Sequence, residues 1–182
     1  MIFPRLGLIN KNQAGLTLMG VILAIALTGI ITGAITSTIF QVVIGSLRTN
    51  NHMIVVRQVQ NAGYWVSHDA QMAQTIDTGD DPLGEGFPLV LTWTDWAGDE
   101  HQVTYVLENM IGGPKQLRRS HSINGGQPSE SIIAQYIVPG KPKTSVVPTN
   151  GALIFTVTAS VGEGSQEESE TRTYEIVPRP GS

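Results

Sequence analysis

Apolar and polar positions follow three different rhythms along this chain. Between residues 12 and 47 there is no Asp, Glu, Lys or Arg, and residues 16–44 are predominantly apolar. A bilayer-spanning helix needs about 20 such residues, so the run is long enough to span. A cleavable secretory signal has an apolar core of only about 7–15 residues before a small-residue cleavage site. This run overshoots that pattern. Helical periodicity then takes over. Val55, Val59, Ala62, Val66, Ala70, Ala73 and Ile76 recur at spacings of three and four, opposite Arg57, Gln58, Asn61, His68, Gln71 and Gln74. No proline falls between Leu16 and Ile76, so the pattern predicts one unbroken helix. Its first half suits lipid and its second half offers one face to a domain. Gly45 and Gly63 are expected to weaken it and mark bends.

Beyond Ile76 the period drops to two. Residues 77–86, "DTGDDPLGEG", read as an acidic turn, because proline and three glycines exclude a helix. Strands are predicted over 88–93, 102–107, 116–120, 131–138, 152–159 and 170–177, with a hairpin at 97–100. Residues 139–151, holding Pro139, Pro142 and Pro148, read as a loop with a β-edge excursion. Residues 162–170 read as an exposed hairpin loop. The predicted fold class is α+β: a long N-terminal helix, membrane-embedded in its first half and amphipathic in its second, packed on an antiparallel β-sheet. The implied organisation is a leader over 1–15, a transmembrane and assembly helix over 16–47, and a soluble α+β domain over 48–182.

Charge and composition narrow the function. The net charge of −4 comes without a basic cluster, so there is no footprint for nucleic acid. The absence of cysteine removes disulfides, thiolate metal sites and a Cys nucleophile together. Arg5 and Lys11 precede the apolar run with no acidic residue to offset them, which predicts a cytoplasmic N-terminus and a domain on the far side. Ser67, His68 and Asp69 are the residue types of a hydrolytic triad. Neighbours on a helix diverge by about 100°, however, and cannot line up as nucleophile, base and orienter; the three read as polar residues near solvent. His52, His68, His101 and His121 lack metal-ligand spacing and read as exposed or loop residues. No catalysis is expected. Asp77, Asp80, Asp81 and Glu85 offer oxygen ligands on a glycine-containing loop, which Ca²⁺ prefers, although their spacing is not that of an EF-hand. A solvated turn after the helix is the plainer reading. Within the apolar run, Gly29 and Gly33 form a G-x-x-x-G pair that permits close helix approach, with Thr28, Thr32 and Thr36 along the same stripe. Trp65, Trp93 and Trp96 read as core or interface anchors.

The residues Lys11, Ala14-Gly15 and Leu16-Thr17-Leu18-Met19, followed by the apolar helix and its amphipathic extension, resemble the type IV pilin and type II secretion pseudopilin family, whose processing site reads G-[F/L/M]-T-L-[I/L/M]. The resemblance implies cleavage by a prepilin peptidase between Gly15 and Leu16, methylation of Leu16, and assembly through the helix with other pilin-like subunits at an inner-membrane platform. The segment "VVRQVQNAGYWVSHDAQMAQTI", the Leu91-Thr92-Trp93-Thr94-Asp95 stretch and "ETRTYEIVPR" are similar to the J-type minor pseudopilins. Some pseudopilins use calcium to hold a loop. One position departs: the family carries glutamate at the fifth mature residue, where this chain has Gly20. That carboxylate neutralises a neighbouring subunit's terminal amine, and tip subunits of the K type commonly lack it, which implies a place near a filament tip. The competing reading is an unprocessed single-pass membrane protein whose outer domain binds a ligand or partner.

Overall fold

A computed structural model describes residues 17–81, 83–110, 114–140 and 142–178. The chain divides into two compact units, one ending at Val43 and one beginning at Ile44.

The helix α1 spans Leu18–Met72. Its start is set by Thr17, whose Oγ1 accepts a hydrogen bond from the Gly20 N–H at 3.3 Å while its carbonyl accepts from Val21. This is an N-cap, which satisfies donors that the first helical turn leaves unpaired. The helix therefore begins two residues later than the apolar pattern predicts. It also ends earlier than Ile76, at Met72, because Gln74 N–H already pairs with the Thr92 carbonyl and starts the sheet.

Eight strands follow: β1 Thr75–Asp81, β2 Gly84–Thr94, β3 Glu100–Asn109, β4 Lys115–Ile123, β5 Ser129–Ile137, β6 Ser145–Thr149, β7 Ala152–Val161 and β8 Glu168–Ile176. They form one sheet in the order β1-β2-β3-β4-β5-β7-β6, with β8 on the other side of β7. The pairings are antiparallel except for a single parallel contact of β6 with β2, Glu85↔Ser145. The expected α+β architecture is present. Two local readings change. The acidic segment 77–86 is a hairpin, with Asp77↔Val90 and Asp80↔Glu85 in register. Strand pairing overrides the poor β-propensity of Asp and Gly when a neighbouring strand supplies the ladder. The proline-rich 139–151 stretch contains β6, which lies between β7 and β2 rather than at an edge. Gly86 makes that approach possible: its φ is +79°, and a Cβ there would sit 2.0 Å from the Val146 carbonyl oxygen.

The core of the second unit lies between α1 and the sheet. Val55, Val59, Ala62, Val66, Ala70 and Ala73 are fully buried, as the helical period predicts, against Leu89, Leu91, Val103, Tyr105, Leu117, Phe155 and Val157. The opposite side of the helix is not simply solvated. Asn61 Nδ2 donates to the Ile133 carbonyl, and the Gln135 N–H donates to Gln58 Oε1 at 2.8 Å. These side chains satisfy the edge of β5, which meets β7 only at Ile137↔Ala159. On the other flank Tyr174 of β8 donates its hydroxyl to the Val59 carbonyl at 3.1 Å.

Candidate functional site

Within the first unit, α1 is lined by exposed apolar side chains, among them Ile22, Ile25, Ile30, Ile35, Ile39 and Phe40. A soluble monomer rarely leaves so large a contiguous apolar surface uncovered. The helix is long and apolar enough to cross a membrane. A shallow groove runs along one side, over Gly20, Ala24, Thr28, Gly29, Thr32 and Gly33. A Cβ added at Gly29 or Gly33 would meet nothing within 4 Å among the described residues, so none of them requires either glycine by packing. The threonine hydroxyls are partly absorbed locally: Thr28 Oγ1 donates to the Ala24 carbonyl at 2.8 Å and Thr36 Oγ1 to the Thr32 carbonyl at 2.9 Å. Such back-bonding hides polar atoms from lipid without a partner helix. Gly15 and Leu16, the expected cleavage site, lie outside the described residues, as do Lys11 and Ala14.

In the second unit, Asp69 overturns its sequence reading. It is 0% exposed, not directed to solvent. Arg119 grips its carboxylate with both arms, Nε to Oδ2 at 2.7 Å and an Nη to Oδ1 at 3.1 Å, and the Tyr105 hydroxyl donates to Oδ2 as well. The Arg119 guanidinium also lies 4.9 Å from the centre of the Trp65 ring, a cation–π arrangement. A bidentate, charge-assisted pair of this kind is both strong and directional. Burial works against the Arg119 charge, but the Asp69 carboxylate more than offsets it and holds the guanidinium above its ordinary range. Burial, followed by the Asp69 charge, pushes the Tyr105 hydroxyl far up, so it stays a donor. The cluster binds α1 to β3 and β4. His68 lies exposed against Tyr64, with rings 6.0 Å apart and 3° from parallel, so Ser67, His68 and Asp69 form no triad.

A second cluster uses His101 and His121, which occupy strands β3 and β4 and are half-buried, contrary to the loop or exposed reading. His101 Nδ1 and His121 Nε2 are 3.0 Å apart. Trp93 lies alongside, its ring 5.1 Å from that of His101 and parallel within 2°. Trp65 and Trp93 are anchors as predicted, but Trp96 is 98% exposed at the tip of the β2–β3 turn. No sequence signal separates it from the other two: the same residue type falls in a strand and in a turn only three positions apart.

The acidic residues proposed for calcium are spread along the β1–β2 hairpin, Asp77, Asp80 and Asp81 on β1 and Glu85 on β2. Among the described residues, no group of three or more His, Asp or Glu side chains is placed to hold a metal ion. Comparison with protein-family models, curated proteins and solved structures finds no significant match to this chain.

Proposed function

We propose that the chain is a prepilin-like structural subunit, a minor pseudopilin or its equivalent in a type IV pilus-like filament. It is cleaved after Gly15, inserted through α1 in the cytoplasmic membrane with its N-terminus inside, and displays its α+β domain outside. The observation that carries this reading is the coupling of the Gly15-Leu16-Thr17-Leu18-Met19 motif to a helix whose apolar surface and glycine groove are exposed among the described residues of the first unit. A lone anchor needs only lipid-soluble residues. A groove with two glycines that no neighbour among the described residues requires suits a helix that packs against other helices. Gly20, where related subunits carry the docking carboxylate, favours a place near the filament tip, since a subunit with nothing docked above it needs no such charge.

The decisive experiment is intact-mass measurement of the membrane-extracted protein made with and without a prepilin peptidase. Loss of residues 1–15 and gain of one methyl group on Leu16 is the expected result. A chain that retains Met1 in the presence of active peptidase eliminates this reading in favour of an unprocessed single-pass protein with an outer binding domain.

A further inference from the structure

We propose that His101 and His121 form a proton-operated latch on the β2–β3 turn that presents Trp96. Three side chains from adjacent strands meet: Trp93 is the cross-strand partner of His101, and His121 lies opposite Val103 on the next strand, diagonal to His101. The imidazole centres are 5.2 Å apart with their planes 16° from parallel, and the facing nitrogens are at 3.0 Å. The two rings therefore meet edge to edge through one N–H···N hydrogen bond. The chain continues outward: His101 Nε2 is 3.4 Å from Asp95 Oδ2, while Asp95 Oδ1 accepts the Ala97 N–H at 2.8 Å and the Asp99 N–H at 3.0 Å. Asp99 in turn accepts from Asn124 Nδ2, and Asn124 Oδ1 accepts the Glu100 N–H, both at 2.8 Å. One carboxylate thus holds the turn with one oxygen and faces the histidine pair with the other. Trp96 sits on that turn with its indole open to solvent.

Proton placement explains the latch. With His101 Nε2–H directed at Asp95, His101 Nδ1 is an acceptor and His121 Nε2–H is the donor to it. A first added proton is drawn to the ring that faces the Asp95 carboxylate: His101 then donates at both nitrogens, and His121 accepts at Nε2 with its own proton on Nδ1, so the bond survives with its direction reversed. A second must sit on His121 Nε2, where it faces the His101 Nδ1–H across 3.0 Å. Two donors and two cations cannot share that gap, so the rings separate and the doubly charged pair draws on Asp95. The groups that act on the pair are Asp95 just after β2, Trp93 on β2, Arg119 on β4 and Asp69 from α1. Asp69 is already engaged by Arg119 and Tyr105. Burial, then the Arg119 and His101 charges, keep His121 below the ordinary imidazole range, with Asp69 opposing. A depressed folded-state value means that the unfolded chain binds the proton more readily. The contribution to stability is complete above the unfolded value of about 6.5, declines as pH falls below it, and levels off beneath the folded value.

Proton-detected NMR of the full chain in detergent micelles, from pH 8 to pH 4.5, tests this. The His121 ring signal is expected to titrate below the ordinary imidazole range, and the Trp96 indole and the 95–99 amides to shift with the same midpoint. In a His101→Asn variant the His121 midpoint rises, and in a His121→Asn variant the Trp96 shift at that midpoint disappears. A Trp96 signal that stays flat while His121 titrates overturns the latch. So does a wild-type His121 that titrates in the ordinary range, a result that needs no variant to fold.

Discussion

At Gly63 an added Cβ would lie 2.0 Å from Tyr174 Cζ, inside the ring that donates to the Val59 carbonyl. Helical periodicity reads this glycine as a weak point; packing makes it a notch for Tyr174. The two effects oppose each other in Gly63→Ala. Helix propensity favours alanine by about 1 kcal/mol, while displacing a packed ring costs about 1–3 kcal/mol. Net destabilisation is expected, seen as a lower urea midpoint for the full chain in micelles. Gly45→Ala, with nothing among the described residues within 4 Å of the new methyl, is expected to move the midpoint the other way or leave it. Gly20 is a different case. It is the third residue inside a helix capped by Thr17, the position from which a glutamate would return a bond to the cap. Among the described residues a Cβ at Gly20 finds only Thr17 Oγ1, at 3.5 Å, so there is room. Gly20→Glu should therefore strengthen the first turn by about 0.5–1 kcal/mol, measurable as slower amide exchange at residues 18–21. If the subunit belongs at a tip, the same change brings no gain in assembly.

At the scale of elements, half of α1 was legible and half was not. The buried face follows from spacing alone, and all six residues from Val55 to Ala73 in that stripe are buried. The polar face misleads, because Gln58 and Asn61 serve the backbone of β5 and Asp69 serves Arg119. Polarity marks a side chain that needs partners, and sequence cannot say whether water or a strand provides them. The Asp69 cluster shows how much depends on that difference. Asp69→Ala leaves Arg119 buried without its counterion, and removing one partner of such a pair costs about 3–5 kcal/mol. Chemical denaturation should report that loss. The double change Asp69→Leu with Arg119→Met should recover most of it, since a matched apolar pair avoids desolvation. A double variant no more stable than Asp69→Ala would show that the pair does more than lock α1 to β3 and β4. The β1–β2 hairpin was illegible for a related reason: its residues are poor strand formers, and register with β2 and β3 imposes the extended conformation.

Considered as a whole molecule, the chain joins an apolar helical segment, exposed among the described residues, to a domain that buries its own core. Gly29 and Gly33 carry the prediction at this scale. Both glycines belong to the first unit, so changing them to leucine fills the groove and should leave the denaturation midpoint of the domain unchanged. On the filament reading, crosslinking between copies or sibling subunits through residues 24–36 should fall at least tenfold, equal to about 1.4 kcal/mol of association. Undiminished crosslinking would show that the glycine groove does not form the contact.

Sequence by itself determined the apolar helix, the buried stripe of its second half, most of the strands and the motif that suggests a filament subunit. Those features are local or periodic, and composition and spacing encode them directly. Tertiary structure alone decided that Asp69 is a buried counterion, that Gly63 is a notch for Tyr174, that residues 77–86 form a hairpin, and that His101 and His121 share a hydrogen bond beneath an exposed Trp96. Each of these depends on residues more than fifteen positions apart meeting in space, or on a strand partner supplying what the local sequence lacks. Periodicity carries no record of such meetings.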